Sequence, residues 1–138
     1  MPTDGQKPGG IPLIPQSAMA GALAGESSSW RPYDCEYYVI PEFANSDFLI
    51  RVSGYSMIPD FQPGDILACR RVPLDRLWFQ WGKAYIVDTR QGPLVKKIMP
   101  SDKDGCIKIV SANPNYPPFD LEVDEINGVA LVEGFIRR

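Results

Sequence analysis

The sequence predicts a single, mostly β domain, and three observations support this prediction. Fourteen prolines and twelve glycines in 138 residues favour short strands and frequent turns. Short aromatic and β-branched runs recur along the chain, each bounded by Gly, Pro, Asp or Asn. No long stretch has a convincing helical periodicity. This pattern indicates an all-β barrel or sandwich-like domain, and 44% hydrophobic residues are enough for a packed core.

The beginning of the chain is predicted to be a flexible region in front of that domain. Residues 1–10 are polar and rich in Gly and Pro, as in a leader or linker. Residues 11–15, IPLIP, are expected to lie as an extended strand on a sheet. Residues 16–29, QSAMAGALAGESSS, have small side chains, and such a stretch can be drawn into a cleft or nicked. The predicted organisation is a flexible region over 1–29 and a β-rich domain over 30–138.

From Trp30 onward the composition becomes that of a β domain. Each strand candidate is short, rich in β-branched or aromatic residues, and followed by turn-forming residues. In chain order the candidates are CEYYVIP, DFLIRVSG, GDILACRRV, KAYIVDT, PLVKKIM, CIKIVSA and GVALVEGFI.

Charge and residue usage exclude several functions. The formal net charge of −3 makes this chain a poor ligand for the phosphates of nucleic acid. Histidine is absent, which removes the Ser-His-Asp triad, the Cys-His pair and most zinc sites, so no metal or cofactor is expected. Cys35, Cys69 and Cys106 form no C-x-x-C and suit buried or half-buried thiols in a reducing compartment. Without a membrane-length apolar run or a signal peptide, we expect a cytoplasmic protein with no membrane contact.

Ser56, in the stretch VSGYSMIPDFQPGD, has two interpretations. It is either the N-cap of one helical turn or a nucleophile. The stretch is not a G-x-S-x-G elbow, since Ile58 occupies the position of the second glycine. A nucleophilic serine needs a base, and without histidine the remaining types are Asp, Glu, Tyr and Lys.

A lysine can serve as that base only when it is neutral. Its reference pKa of about 10.4 must fall by about 3 units, which costs roughly 4 kcal/mol and requires burial. In GPLVKKIM, Lys96 shares a strand face with Leu94 and Ile98, whereas Lys97 shares the other face with Val95 and Met99. Periodicity does not say which face is inward, and both lysines could instead be charges that protect an edge strand.

Four ordered motifs then resemble the self-cleaving serine-lysine peptidase domain of LexA, UmuD and phage repressors. VSGYSMIPDFQPGDILAC is followed by VKK, VSANPNYPPFDL and INGVALVEGFI. These segments match the family's G-x-S-M, P-x-x-x-x-G-D, V-K-[RK]-[LI] and S-x-N-x-x-Y-x-P motifs, over about residues 11–138. The resemblance implies a mostly β fold of twisted sheets that form a partial barrel with short helical turns.

The resemblance also implies a reaction and the residues that perform it. Ser56 would attack the carbonyl of Ala20 and cut the Ala20-Gly21 bond, which places the cleavage site within region 1–29. Lys96, directly after valine in VKK, would take the hydroxyl proton, and the backbone N–H groups of Tyr55 and Ser56 would hold the oxyanion. Tyr55 departs from the small, polar or acidic residue that is frequent there. A second Ala-Gly bond, Ala24-Gly25, is an alternative cleavage site.

Several roles for such a cut remain open. The favoured prediction is the C-terminal domain of a LexA-like or phage-type repressor, which contacts DNA only through a separate N-terminal helix-turn-helix domain. By resemblance, its partners would be a second copy of the chain and a RecA-type filament as co-protease. The alternatives are a UmuD-like DNA-damage-response protein that cleavage activates and a non-catalytic dimerisation module. A signal-peptidase-like enzyme ranks last, because that enzyme needs a membrane anchor.

Other segments have simpler interpretations. The aromatic run LWFQW at 77–81 is either packing or a dimer interface, where aromatic residues are enriched. In the family, the C-terminal run GVALVEGFIRR contributes to dimer pairing. Asp60 and Asp65 are expected to be turn-forming residues, and EVDEI at 122–126 a solvated acidic turn.

Overall fold

Short runs of β-branched and aromatic residues form the strands of the computed structural model, which describes residues 10–15, 19, 23 and 36–137. Short 3₁₀ turns lie at Pro41–Phe43, Leu74–Arg76 and Val123–Glu125. The strands of the described residues are β1 Ile11–Leu13, β2 Glu36–Tyr38, β3 Phe48–Arg51, β4 Ile66–Val72, β5 Ala84–Thr89, β6 Gly92–Pro100, β7 Cys106–Val110, β8 Phe119–Glu122 and β9 Gly128–Ile136.

All of these strands belong to one open sheet with the order β2-β1-β3-β4-β9-β5-β6-β7-β8. Only β1 and β3 pair in parallel, and every other neighbouring pair is antiparallel. The prediction of a mostly β domain is therefore confirmed. Strand β6 pairs with β5 on one side and β7 on the other, so the interpretation of Lys96 and Lys97 as edge-strand charges is wrong.

The central strands are buried on both faces. On β5, Tyr85 and Val87 contribute to one apolar cluster, whereas Ile86, between them, contributes to another. This alternation follows from the two-residue period of a strand. The cluster that contains Ile86 also contains Ile50 and Met57, so it underlies the region of Ser56.

The N-terminal residues that the structure describes pack onto the sheet. IPLIP supplies β1, as predicted, and Ile11 and Ile14 are buried. Met19 and Leu23 are also buried and belong to the same cluster as Ile86. The other residues of 16–35, among them Cys35, lie outside the described part, so the predicted boundary at residues 29 and 30 stays a prediction.

The remaining two cysteines are free thiols, as predicted, and burial raises the pKa of the Cys69 thiol. Within the described ranges, no helix is long and apolar enough to cross a membrane.

Candidate active site

Ser56 lies in the long connection between β3 and β4. Gly54 has a φ of +78°, a backbone conformation that residues with a Cβ rarely adopt. It begins a sharp turn just before the serine. Ile58 N–H donates to the Tyr55 carbonyl (3.3 Å) within this turn. Met57 is buried in the core, whereas Ser56 is only half-buried. Burial of Met57 therefore anchors the turn while its neighbour faces a cavity.

Backbone hydrogen bonds close the base of this connection. Val52 N–H donates to the Asp65 carbonyl (2.8 Å), and Gly64 N–H donates to the Val52 carbonyl (2.9 Å). The Asp65 carboxylate accepts from Gln62 N–H (2.8 Å), which confirms its prediction as a turn-forming residue. Arg137 also donates to both carboxylate oxygens, at 2.9 and 2.8 Å, and this hydrogen bonding lowers the pKa of Asp65.

The Ser56 hydroxyl makes no hydrogen bond to any residue that the structure describes, so it does not cap a turn there. Over the same residues, the backbone N–H groups of Tyr55 and Ser56 donate to no acceptor. Two unpaired N–H groups beside a hydroxyl can bind an oxyanion that forms near that hydroxyl.

Lys96 lies in the middle of β6 and has unusual surroundings for a lysine. Its side chain is half-buried, and Nζ donates to Ser111 Oγ at 2.8 Å. The Tyr116 ring centroid lies 5.5 Å from Nζ. Within the described residues, no carboxylate lies within ion-pair distance of Nζ. Burial lowers the pKa of Lys96, because desolvation disfavours the charged form.

The neighbouring Lys97 differs from Lys96 in the partner of its amine. Its Nζ lies 2.8 Å from the Asp60 carboxylate, in the turn that follows Ser56. The structure therefore distinguishes two lysines that the sequence pattern left equivalent.

Ser56 and Lys96 line the same cavity, which has a volume of about 150 Å³. Val52, Met57 and Leu94 contribute apolar walls. Among the described residues, the Lys96 amine bonds to Ser111 and not to Ser56. The two side chains thus share a cavity without a direct hydrogen bond, and such contacts are often long before a substrate is bound.

The predicted cleavage residues Ala20 and Gly21, and the alternative pair Ala24 and Gly25, lie outside the described residues. Their described neighbours are informative. Met19 lines the cavity shared by Ser56 and Lys96. Leu23 packs against Gly128, where an added Cβ would lie only 2.8 Å from the Leu23 Cβ. The chain therefore packs against the domain at residues 19 and 23.

Sequence reasoning assigned no role to three residues of one loop, Ser111, Asn113 and Tyr116. Each contacts Lys96 or the Ser56 turn. The motif S-x-N-x-x-Y was a signal that this loop matters, but a motif does not say which atoms meet. Within the described part of the chain, no group of three or more His, Cys, Asp or Glu side chains could hold a metal ion.

Comparison with protein-family models matches residues 12–132 to the family described as Peptidase S24-like. The match includes two of the three residues of β1, the Ser56 turn, Lys96 and the loop after β7. A search of curated proteins found no match.

Proposed function

The chain belongs to the Peptidase S24-like family of LexA/UmuD-type serine peptidase domains, and on this premise we propose that it cleaves itself with a Ser56/Lys96 dyad. The wider role we propose is that of the autoproteolytic and dimerisation domain of a LexA-like or phage-type repressor. A separate helix-turn-helix domain would bind the DNA, and a RecA-type filament would promote cleavage. These partners rest on the family resemblance.

The proposed reaction uses the Ser56 hydroxyl as nucleophile and the Lys96 amine as base. Ser56 Oγ attacks the carbonyl carbon of Ala20 while its proton passes to neutral Nζ. The oxyanion accepts hydrogen bonds from the Tyr55 and Ser56 N–H groups. The C–N bond to Gly21 then breaks, and Nζ returns the proton to the leaving amine. Water hydrolyses the resulting Ser56 ester and regenerates the hydroxyl.

One observation supports this proposal above the others: Ser56, Lys96 and Met19 line one cavity. Met19 directly precedes Ala20, so its position favours Ala20-Gly21 over Ala24-Gly25 as the substrate bond. Tethering then compensates for a weak nucleophile, because well-oriented intramolecular groups reach effective concentrations of about 10⁵ M or more.

The burial of Lys96 supplies the other requirement, a base that gives up its charge. An ordinary lysine with a pKa of about 10.4 is almost entirely protonated at pH 7. Desolvation lowers the pKa of Lys96, and no carboxylate among the described residues opposes that effect by ion pairing. The Lys97 amine is instead paired with the Asp60 carboxylate, at 2.8 Å.

The test is the mass of the purified protein over time at about pH 9–10, where lysine is more readily neutral. We expect fragments 1–20 and 21–138 from the wild-type chain. Ser56→Ala and Lys96→Ala should each reduce cleavage at least about 100-fold, since each removes a reacting group.

Lys97→Ala is the matched control and should cleave within a few-fold of the wild-type rate. Fragments 1–24 and 25–138 would show that the cleaved bond is Ala24-Gly25 instead. Cleavage that persists in Ser56→Ala or in Lys96→Ala would refute the dyad.

A further inference from the structure

We propose that the loop Ser111–Tyr116, which follows β7, is a positioning element that fixes the Lys96 amine and the Ser56 turn relative to one another. The inference rests on the proposed self-cleavage and gives residues of the S-x-N-x-x-Y motif a role that neither the family match nor the dyad supplies. Two residues of the loop, Ser111 and Asn113, make these contacts and are called its first and second arms. A third residue, Tyr116, covers the amine.

The first arm is Ser111, which holds the base. Antiparallel pairing places Val110 opposite Lys97, so the next residue of the β7 chain, Ser111, lies beside Lys96. Its Oγ accepts a hydrogen bond from Nζ at 2.8 Å. When the amine is neutral, an acceptor that occupies one N–H direction restricts the rotation of the group. The lone pair then has fewer orientations, on a side chain that lines the same cavity as Ser56.

The second arm is Asn113, which holds the nucleophile's backbone. Its N–H donates to the Ser56 carbonyl at 2.9 Å, and its Nδ2 donates to the Tyr55 carbonyl at 3.1 Å. Its Oδ1 accepts from Asn115 N–H at 3.0 Å, which fixes the orientation of the amide group. Two consecutive peptide planes of the Ser56 turn are thus bound by one residue.

The hydrogen bond to the Tyr55 carbonyl has a specific consequence for the oxyanion. The peptide between Tyr55 and Ser56 is planar, and in a trans peptide the carbonyl and the N–H point in opposite directions. Asn113 therefore holds the carbonyl on one side and presents Ser56 N–H on the other. That N–H donates to no acceptor among the described residues and is one of the two proposed oxyanion donors.

Tyr116 completes the element. Its N–H donates to the Asn113 carbonyl at 3.1 Å, which turns the chain so that the ring covers Lys96 Nζ at 5.5 Å. The ring face and the Ser111 oxygen both favour the ammonium form, whereas burial favours the neutral amine. Only two residue steps separate Ser111 from Asn113, a reach of at most about 7 Å, so base and nucleophile cannot move far apart while both arms hold.

The experiment compares first-order self-cleavage rates of the 138-residue chain from pH 7 to 11. Ser111→Ala should lower the alkaline plateau about 10- to 100-fold, because the neutral amine is less well positioned. The midpoint of its pH profile should also move to lower pH, because the ammonium form loses an acceptor. Ser111→Thr keeps a hydroxyl and should restore the plateau to within about 3-fold of the wild-type value.

Asn113→Ala should lower the plateau by a similar factor, about 10- to 100-fold, without moving the midpoint, because it acts on the nucleophile's backbone and not on the base. Ser101→Ala is the control. Its hydroxyl also makes a side-chain hydrogen bond, to Asp120 at 2.7 Å, but not to the site, and the rate should be unchanged. A variant that merely folds poorly would have a lower melting temperature. Poor folding would not shift the midpoint of the pH profile in Ser111→Ala while leaving the midpoint unchanged in Asn113→Ala.

A second measurement does not depend on cleavage. In a Ser56→Ala background, the NMR titration of Lys96 should have a lower midpoint with Ser111→Ala than without it. The positioning role would be overturned if Ser111→Ala had the wild-type alkaline plateau and the wild-type pH midpoint. It would also be overturned if Ser111→Ala left the midpoint of the Lys96 NMR titration unchanged. Cleavage that persists in Ser56→Ala would overturn the proposed function instead, so the two failures are distinguishable.

Discussion

At the scale of residues, Lys96 and Lys97 illustrate how neighbours in sequence acquire different chemistry. Alternation placed them on opposite strand faces, but it gave no means to decide which face was inward. The decisive differences are contacts that are remote in sequence: Ser111 and Tyr116 around Lys96, and Asp60 at Lys97. The choice of Lys96 from the VKK motif rested on resemblance, and its geometry supplies a physical reason for that choice.

The aromatic run at 77–81 contains a second pair of neighbours with opposite surroundings. Phe79 is buried and packs edge-on against Tyr85, with ring centroids 5.2 Å apart. Trp78 is 72% exposed. The sequence offered core packing and a dimer interface as alternatives, and the run contains both a core residue and exposed rings. The homodimer stays a prediction.

We expect Phe79→Ala to lower the free energy of unfolding by about 3–5 kcal/mol, because it removes a buried ring and leaves a cavity. The matched variant Trp78→Ala should change it by no more than about 0.5 kcal/mol in the monomer. Urea denaturation of both variants measures the difference. Equal losses in the two variants would contradict the burial of Phe79.

At the scale of elements, the ends of β4 and β9 are joined beyond their last strand pair. Ile66 pairs with Ile136, and the flanking Asp65 and Arg137 form a two-pronged ion pair. The Asp65 side chain is 2% exposed, and the Asp65 backbone carbonyl accepts from Val52 N–H at the base of the connection that contains Ser56. This ion pair therefore links the C-terminal strand to the base of the nucleophile's loop.

Arg137→Ala should lower the melting temperature at pH 6, because it leaves a buried carboxylate without its partner. Hydrogen bonding to Arg137 lowers the pKa of Asp65, so its stabilising contribution is complete above the ordinary value of 3.8 and disappears as the pH falls through the folded-state value.

The decrease in melting temperature that Arg137→Ala causes should consequently become smaller as the pH is lowered from 6 to 2.5. Arg90→Ala is the control, because Arg90 is 86% exposed in its pair with Glu125. A penalty that stays constant over this pH range would contradict the role of Asp65.

The strand elements were largely predictable, and the exception has a physical reason. The β-branched and aromatic runs gave β1 to β7 and β9, because apolar runs bounded by turn residues are a local signal. Strand β8 was missed. Its four residues, FDLE, alternate apolar and acidic side chains, but they include only one aromatic and no β-branched residue, so the local signal is weak. EVDEI contains the predicted acidic turn, Val123–Glu125.

At the scale of the whole molecule, the order of strands could not be predicted from local pattern. Strand β9, near the C-terminus, lies between β4 and β5 in the sheet. Pairings between strands remote in sequence leave no signal in the periodicity of either strand. The cavity shared by Ser56 and Lys96 depends on such pairings, which is why the residue types and motifs pointed to the dyad but not to the loop that holds it.

Self-cleavage by the Ser56/Lys96 dyad requires that the Lys96 amine lose its proton more readily than an ordinary lysine does. The most direct measurement is an NMR titration of the Lys96 side chain in the Ser56→Ala variant, which should stay intact at alkaline pH. We predict a pKa below the ordinary value of 10.5, because the side chain is partly removed from water. A midpoint at or above that value would contradict Lys96 as the base and, with it, the proposed self-cleavage.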